Sequence, residues 1–112
     1  MVRFKRTIRV TVERIEAARR AEARRKRRKL YASLPGGVSR ATLDAIAACE
    51  SGGDPTVISS DGSYRGKYQF SFETWASVGG SGDPAQASEQ EQDYRAALLY
   101  AASGSSPWPI CG

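Results

Sequence analysis

The chain has 112 residues, enough for one small domain with a tail, and it carries 17 Lys and Arg against 12 Asp and Glu for a formal net charge of +5. It contains no His and only two Cys, which excludes Ser-His-Asp and Cys-His nucleophile systems, His-ligated metals and a four-ligand structural zinc site, so we expect no metal and no cofactor. No apolar run approaches the roughly 18–20 residues that cross a bilayer, and we expect no transmembrane segment.

Charge divides the chain into a basic amino-terminal segment and an acidic remainder. Residues 1–40 hold 14 Lys or Arg and 3 acids, a net charge of +11. Residues 41–112 hold 3 Lys or Arg and 9 acids, a net charge of −6. We therefore predict a basic arm with a linker over residues 1–38 and a folded domain over residues 39–112.

The arm begins with an ambiguous pattern. Ile8, Val10 and Val12 alternate as in a strand, whereas Ile8, Val12 and Ile15 also fit the spacing of a helix. Residues 13–30 are mostly Ala, Glu and Arg, which are strong helix formers but bury little area. We predict a basic arm that is flexible or forms a solvated or transient helix.

The run of six cations from Arg24 to Lys29 favours binding to polyanions in general, such as nucleic acid, anionic wall polymers or a membrane surface. A solvated basic tail without a dedicated partner is the alternative. No aromatic residue lies between Ile8 and Leu30, which argues against stacking on single-stranded nucleic acid. The sequence Leu-Pro-Gly-Gly at residues 34–37 is typical of a linker.

Capping and turn residues in the second segment predict a helix followed by a small hairpin. Ser39 has the residue type of an N-cap for a helix over residues 40–50, which Ser51-Gly52-Gly53 would end. Asp61-Gly62 is a hairpin turn signal between Val57-Ile58 and residues 64–70.

Two further helices and a tail complete the predicted domain. A short helix is expected over residues 70–78, and Asp83-Pro84 predicts the cap and first residue of a long helix to about residue 102, closed by Gly104. Residues 107–112 are expected to form an extended tail. The predicted fold class is α+β, mostly helical, with one short β-hairpin.

A domain of this size has a marginal core. Cys49 and Cys111 lie near its two ends, and a bridge between them would stabilise it by about 4 kcal/mol, whereas two free buried thiols are the alternative. The predicted core consists of the tyrosines with Leu43, Ile46, Phe70, Phe72, Trp75, Leu98, Leu99 and Trp108.

Glu50 is the candidate catalytic residue. It shares one stripe of the predicted helix with Leu43, Ile46 and Ala47, at positions i, i+3, i+4 and i+7. The carbonyl end of the helix and partial burial both disfavour the charged carboxylate, so both would raise its pKa. A carboxyl group that keeps its proton can donate it to a leaving group, whereas a solvated helix-terminal Glu is the alternative.

Five sequence blocks occur in order along the second segment, and together they resemble the catalytic domain of actinobacterial resuscitation-promoting factors. These are transglycosylase-like proteins of the lysozyme superfamily that act on peptidoglycan. The resemblance covers about residues 41–112, with Asp54-Pro55 where the family commonly has Asn-Trp. The blocks are Cys49-Glu50-Ser51-Gly52-Gly53, Gly66-Lys67-Tyr68-Gln69-Phe70-Ser71, Thr74-Trp75 with Gly79-Gly80, Glu91-Gln92, and Trp108-Pro109-Ile110-Cys111.

The resemblance implies a small lysozyme-like domain with Glu50 as the catalytic acid and Cys49 paired with Cys111. It also implies a glycan groove floored by the hairpin and residues 66–70. Aromatic rings would stack on sugars and amide or hydroxyl groups would bond their substituents, although core packing is the alternative for Trp75. Arg65 and Lys67 would meet peptide-stem carboxylates or face solvent. The candidate substrate-binding residues are Tyr64, Tyr68, Gln69, Thr74, Trp75 and Gln92.

Glycosidases that hydrolyse their substrate usually need two carboxylates. The other candidates, Asp44, Asp54 and Asp61, have weaker patterns, because Asp44 points elsewhere on the helix and the other two are typical turn residues. A lytic transglycosylase needs one acid, since the C6 hydroxyl of the substrate attacks the anomeric carbon. The single strong candidate therefore favours this reaction.

We thus predict a monomeric enzyme that cleaves the bond between N-acetylmuramic acid (MurNAc) and N-acetylglucosamine (GlcNAc), in cell-wall remodelling or resuscitation from dormancy. The alternatives are a non-catalytic wall-binding or signalling module, a phage-associated muralytic protein, and a nucleic-acid-binding protein. Substrate and disulfide point to an extracellular or wall location, yet Arg9, Glu13 and Arg14 interrupt the apolar run of a Sec-type signal. Non-classical export, lysis, a phage origin or another start codon would reconcile the two.

Overall fold

The computed structural model describes the backbone of residues 2–112 and the side chains of residues 9–112. The chain divides into two compact units, residues 1–30 and residues 31–112. Four α-helices and two short 3₁₀ turns account for the regular structure of the described residues. These elements are α1 (Val2–Tyr31), a turn at Pro35–Gly37, α2 (Arg40–Ser51), α3 (Phe72–Ser77), a turn at Pro84–Gln86 and α4 (Glu89–Ser103).

The arm is one long helix, so the ambiguity between strand and helix at its start is resolved in favour of the helix. Side chains from residue 9 to residue 20 are exposed, including the large apolar Val10, Val12 and Ile15. Among the side chains from residue 9 onward, α1 has two exposed i, i+4 ion pairs, Glu16–Arg20 at 4.0 Å and Glu22–Lys26 at 3.4 Å. No helix within the described residues is both long and apolar enough to cross a bilayer.

Helix α2 forms as the sequence predicts. The Ser39 side chain accepts a hydrogen bond from the Thr42 amide at 3.1 Å and caps the helix. Gly52, in the left-handed region with φ 69°, ends it. Leu43, Ile46 and Ala47 are buried along one stripe. This stripe fixes which face of the helix turns toward the core.

The predicted β-hairpin is wrong. Residues 31–112 contain isolated bridges between Arg65 and both Ile58 and Phe70, but no strand. The backbone has positive φ at Gly62, Gly66 and Gln69, so the chain reverses every three to four residues and never extends far enough for a ladder. The segment is a series of tight turns, and the fold is mostly helical rather than α+β with a hairpin.

Two helix starts also differ from prediction. Helix α3 begins at Phe72 rather than at residue 70, because Ser71 caps it by accepting from the Thr74 amide at 3.1 Å. Asp83-Pro84 begins only a 3₁₀ turn, after which Ser88 provides a second cap and starts α4. The end of α4 at Gly104 agrees with prediction.

The carboxyl-terminal residues are turned rather than extended. The Trp108 amide donates to the Ser105 carbonyl at 2.9 Å, and the Gly112 amide donates to the Trp108 carbonyl at 2.7 Å. Near the start of the unit, Leu34 and Val38, on either side of the Pro35–Gly37 turn, pack against the core. The segment interpreted as a linker therefore contributes contacts to this unit.

The core combines aliphatic and aromatic side chains. Trp75 contacts Phe70 at a ring distance of 5.1 Å, and Tyr100 is stacked on Trp108. Phe72 is not part of it, because its ring is 47% exposed and lies under the Arg65 guanidinium. The buried apolar residues are Leu43, Ile46, Ala47, Tyr68, Phe70, Trp75, Ala96, Ala97, Leu99 and Trp108.

Candidate active site

A cleft of about 250 Å³ opens at the carboxyl end of α2. It combines one carboxylate with aromatic and apolar side chains, and its lining consists of Glu50, Tyr64, Gln69, Pro107, Trp108, Pro109 and Ile110. A smaller hollow of about 110 Å³ shares four of these residues. It adds Tyr68, Phe70, Ser71, Thr74 and Leu99 to the lining.

Glu50 lies in the last turn of α2 and is half-buried. Burial raises the pKa of its carboxyl group above the ordinary value for glutamate. The helix contributes in the same direction, since its carbonyl end disfavours a negative charge. Glu50 is therefore biased toward the protonated form that a general acid requires.

The end of α2 is fixed to the segment that lines the cleft. The Ser51 hydroxyl donates to the Lys67 carbonyl at 2.7 Å, and the Gln69 side-chain amide donates to the Gly66 carbonyl at 2.9 Å. Gln69 has φ 55°, which is uncommon for a residue other than glycine. Residues 66–69 thus form a rigid turn beside Glu50, with a strained residue in the cleft lining.

An ionic cluster centred on the buried side chains of Lys67 and Asp93 attaches this turn to α4. The Lys67 ammonium lies 2.9 Å from Asp93 and 3.1 Å from Glu89, and Asp93 also pairs with Arg40 at 3.0 Å. The Tyr68 hydroxyl donates to Asp93, and burial followed by this contact raises its pKa. Lys67 therefore neither faces solvent nor is free to meet a peptide-stem carboxylate, because its side chain is buried and paired within the protein.

Arg65 also differs from its predicted role. Its guanidinium lies 2.7 Å from the Asp83 carboxylate and is partly buried. The Asp83 carboxylate serves both partners, since Oδ2 accepts from Arg65 while Oδ1 accepts from the Ala85 amide and caps the short turn. The two cations next to the cleft are thus used for internal contacts.

A disulfide joins Cys49 to Cys111 with a Cα–Cα distance of 5.6 Å, so the alternative of two free thiols does not apply. Because Cys49 precedes Glu50 and Cys111 follows Ile110, the bridge places the carboxyl-terminal segment next to the candidate acid. Residues 107–110 line the cleft for this reason. The sequence prediction did not include Pro107, Trp108, Pro109 or Ile110 among the site residues. The cysteine pairing is the signal that could have found them.

The predicted substrate-binding residues fall into two groups. Tyr64 and Gln69 line the cleft with Glu50, and Tyr68 and Thr74 line the smaller hollow. Trp75 and Gln92 line neither of the two. They lie in the interior instead, with exposed fractions of 1% and 0%.

The buried side chains of Trp75 and Gln92 form hydrogen bonds with backbone groups of the surrounding loops. The Trp75 indole donates to the Ser81 carbonyl at 3.2 Å. The Gln92 side chain accepts from the Lys67 amide at 2.7 Å and donates to the carbonyls of Pro55 and Ala87. Gln92 thereby satisfies backbone groups of three loops around α4.

The other acids considered for catalysis take part in turns or lie on the surface. Asp54 accepts from the Thr56 amide and hydroxyl, and these bonds lower its pKa. The Ser63 amide, with the Ser59 and Ser63 hydroxyls, lowers the pKa of Asp61. Asp44 is exposed. Among the described residues, Glu50 is the one carboxylate that lines either the cleft or the hollow.

Comparison with known proteins decides the family. The sequence model of the transglycosylase-like domain matches residues 37–111. The chain belongs to the transglycosylase-like family. The matched range of this transglycosylase-like domain contains Glu50, the disulfide and all of the lining of the cleft.

Individual relatives refine the assignment of the transglycosylase-like domain. The chain is 45% identical over 69 residues to resuscitation-promoting factor RpfC of Mycobacterium tuberculosis, covering 62% of this chain and 49% of the relative. It is 43% identical over 70 residues to resuscitation-promoting factor Rpf of Micrococcus luteus, covering 62% and 31%. The transglycosylase-like domain is therefore of the type found in resuscitation-promoting factors.

A third relative is named for its activity. The chain is 46% identical over 70 residues to the probable transglycosylase SceD of Staphylococcus haemolyticus, covering 59% of this chain and 30% of that protein. The chain spans about half or less of the length of these relatives. The similarity thus concerns the transglycosylase-like domain and not the remainder of the relatives.

Proposed function

We propose that the domain over residues 31–112 cleaves the glycosidic bond between MurNAc and GlcNAc in bacterial peptidoglycan, with Glu50 as general acid and base. The observation that carries this proposal is the position of Glu50, half-buried in the cleft with a raised pKa. The relatives named as transglycosylases and resuscitation-promoting factors support the substrate class. Its role in the cell would be wall remodelling or resuscitation from dormancy.

Among cleavage reactions, lytic transglycosylation agrees best with the site. A retaining or inverting glycosidase uses a second carboxylate about 5–9.5 Å from the acid. The other candidates do not supply it, because Asp54 and Asp61 hold turns together and Asp44 is exposed outside the cleft lining. In transglycosylation Glu50 protonates the glycosidic oxygen and then accepts the proton of the C6 hydroxyl, which attacks the anomeric carbon. One carboxyl group performs both steps.

Mass spectrometry of released muropeptides tests this reaction. We expect fragments that end in 1,6-anhydro-MurNAc, each lighter by one water than the corresponding hydrolysis product. Fragments with a reducing MurNAc end would contradict transglycosylation but leave glycan cleavage standing. Binding to purified wall without any released fragment would contradict cleavage altogether and favour a non-catalytic wall-binding or signalling module.

We propose an extracellular or wall location for the domain. The disulfide supports it, because such bonds persist in oxidising compartments. The position of the substrate outside the membrane supports it as well.

We also propose that the arm attracts the protein to anionic wall polymers. Its 13 Lys and Arg against 3 acids within residues 1–30 give a net charge of +10, whereas residues 31–112 have 4 against 9 and a net charge of −5. The acidic unit alone would be repelled by a polyanion, so the arm has to supply the attraction. Binding of the whole chain to wall that retains its anionic polymers should weaken steeply with added salt. Binding that is insensitive to salt, or equal on wall stripped of these polymers, would contradict this role.

A further inference from the structure

Ile110, in the cleft lining, is far more exposed than the other exposed apolar side chains of its unit. Ile110 is 92% exposed, against 47–52% for Ile58, Tyr64 and Phe72 in the same unit. Isolated exposed apolar residues are common on protein surfaces and need no explanation by themselves. Ile110, however, lies in the lining of the cleft that contains Glu50.

The exposure of Ile110 is imposed by the fold and is not that of a loose tail. Trp108, two residues earlier, is buried, and its indole donates to the Tyr68 carbonyl at 3.1 Å. Cys111, the next residue, is bonded to Cys49. Pro109 restricts the backbone between these anchors, and Pro107 restricts it just before Trp108. The side chain of Ile110 is therefore held in solvent on a rigid segment.

The surroundings of Ile110 define what it can contact. Pro107 and Pro109 line the same cleft and add apolar surface, and Tyr64 contributes a half-exposed ring. A glycan in this cleft would present ring faces and hydroxyl groups together with substituents that carry methyl groups. An exposed isoleucine gains nothing from contact with hydroxyl groups. Contact with a methyl group is favourable, because it removes apolar surface of both partners from water.

We propose that Ile110 is a specificity-determining residue that forms an apolar subsite for a methyl-bearing substituent of the glycan. In peptidoglycan this chemistry belongs to the acetamido and lactyl groups of the sugars and to alanine in the stem peptide. The assignment rests on the proposed function for its substrate. Preference for substituted over unsubstituted sugars would follow from this contact, because the rigid segment leaves Ile110 no other partner among the described residues.

Substitution of Ile110 by serine tests the subsite. We expect a roughly tenfold rise in KM with little change in kcat, since the contact is the same in the ground and transition states. Ile110→Val should retain most of the affinity. Ile58→Ser removes an exposed isoleucine of the same unit that lines neither cleft nor hollow, and it should behave as the unmodified protein. The melting temperature should stay constant in both Ile110 variants, because that side chain is 92% exposed.

Two substrates identify the source of the methyl group. A KM defect of Ile110→Ser on intact wall glycan that disappears on glycan stripped of its stem peptides would assign the contact to alanine. A defect on both substrates would assign it to the sugar substituents. An unchanged KM on both, or a fall in kcat alone, would overturn the inference.

A binding measurement separates this inference from the proposed function. Soluble glycan strands are titrated against Glu50→Gln and against the double variant Glu50→Gln/Ile110→Ser. The double variant should bind the strands roughly tenfold more weakly than Glu50→Gln does. If the unmodified protein releases no fragments, cleavage fails while this difference in affinity still supports the subsite. Equal affinities would overturn the subsite even if cleavage is observed.

Discussion

Replacement of Glu50 by glutamine is expected to reduce the release of muropeptides by roughly 100- to 10,000-fold, the range of a lost general acid. Glutamine keeps the shape of the side chain but has no proton to donate and cannot accept the proton of the C6 hydroxyl. Both halves of the proposed reaction would therefore stop. Turnover measured with purified wall glycan checks this expectation, and undiminished activity would exclude Glu50 as the catalytic acid.

The matched control is Glu73→Gln. Glu73 is exposed in the first turn of α3 and lines neither the cleft nor the hollow, so the same change of charge should leave activity within experimental error. A comparable loss in this control would show that net charge, rather than a proton at Glu50, governs the reaction.

The pH dependence gives an independent check of the same residue. Because burial raises the pKa of Glu50 in the folded protein, the acid stays protonated to a higher pH than an ordinary glutamate. Activity should fall as the pH rises through this elevated pKa. A basic limb of the pH profile at the pKa of an unperturbed glutamate would contradict the role of burial.

The stability of Glu50→Gln should change in the opposite sense to its activity. A raised folded-state pKa means that the stability contributed by the protonated group is present below the unfolded-state pKa and is lost as the pH rises through the folded-state value. Glutamine has no charged form and avoids this loss, so the variant should be as stable as the unmodified protein at neutral pH or slightly more stable. The gain should not exceed a few tenths of a kcal/mol, because solvent screens the half-exposed group. The difference should vanish at acidic pH. An inactive variant with a lowered melting temperature would indicate misfolding instead.

The sequence predicted the element that carries the acid well. Helix α2 has a serine cap, an apolar stripe and a terminal glycine, and all three signals are local. The family and the Cys49–Cys111 pairing were also predicted, from blocks in a fixed order. Local capping chemistry and the order of the sequence blocks were therefore enough to place Glu50 at a helix end beside a disulfide.

Two other elements depart from the patterns that predict them. Asp83-Pro84 has the signature of a helix start and does begin a 3₁₀ turn, but Ser88 supplies a second cap, and α4 starts there. The hairpin failed because Gln69, an ordinary residue, adopts positive φ, stabilised by its own side-chain bonds to the carbonyls of Gly66 and Val57. The first error comes from a second capping residue further along the chain, and the second comes from a strained backbone.

The site shows the same limit. Trp75 and Gln92 share motifs with the cleft residues yet lie inside the domain, where they support loops. The carboxyl-terminal wall, residues 107–110, was missed although the predicted Cys49–Cys111 pairing already implies that it lies beside the end of α2. The side chains of these residues give no sign of a role in the site by themselves.

Removal of the disulfide is expected to be the most destabilising change in the domain. The bridge closes a loop with a sequence separation of 62, so its loss should cost about 4 kcal/mol through the entropy that the unfolded chain regains. The melting temperature of Cys49→Ser/Cys111→Ser should fall by roughly 15–30 °C for a unit of this size. Thermal unfolding followed by circular dichroism checks the shift, and an equal melting temperature would contradict it.

Reduction of the unmodified protein should reproduce the effect, whereas reductant should leave the double serine variant unchanged, which controls for effects of the reagent itself. The function should respond as well, because the bridge holds residues 107–110 beside Glu50. At a temperature where the double variant is still folded, its KM for wall glycan should rise, since the wall that carries Ile110 is anchored on one side by Trp108 alone. A folded double variant with an unchanged KM would mean that Trp108 suffices to hold the wall, and that the bridge acts on stability only.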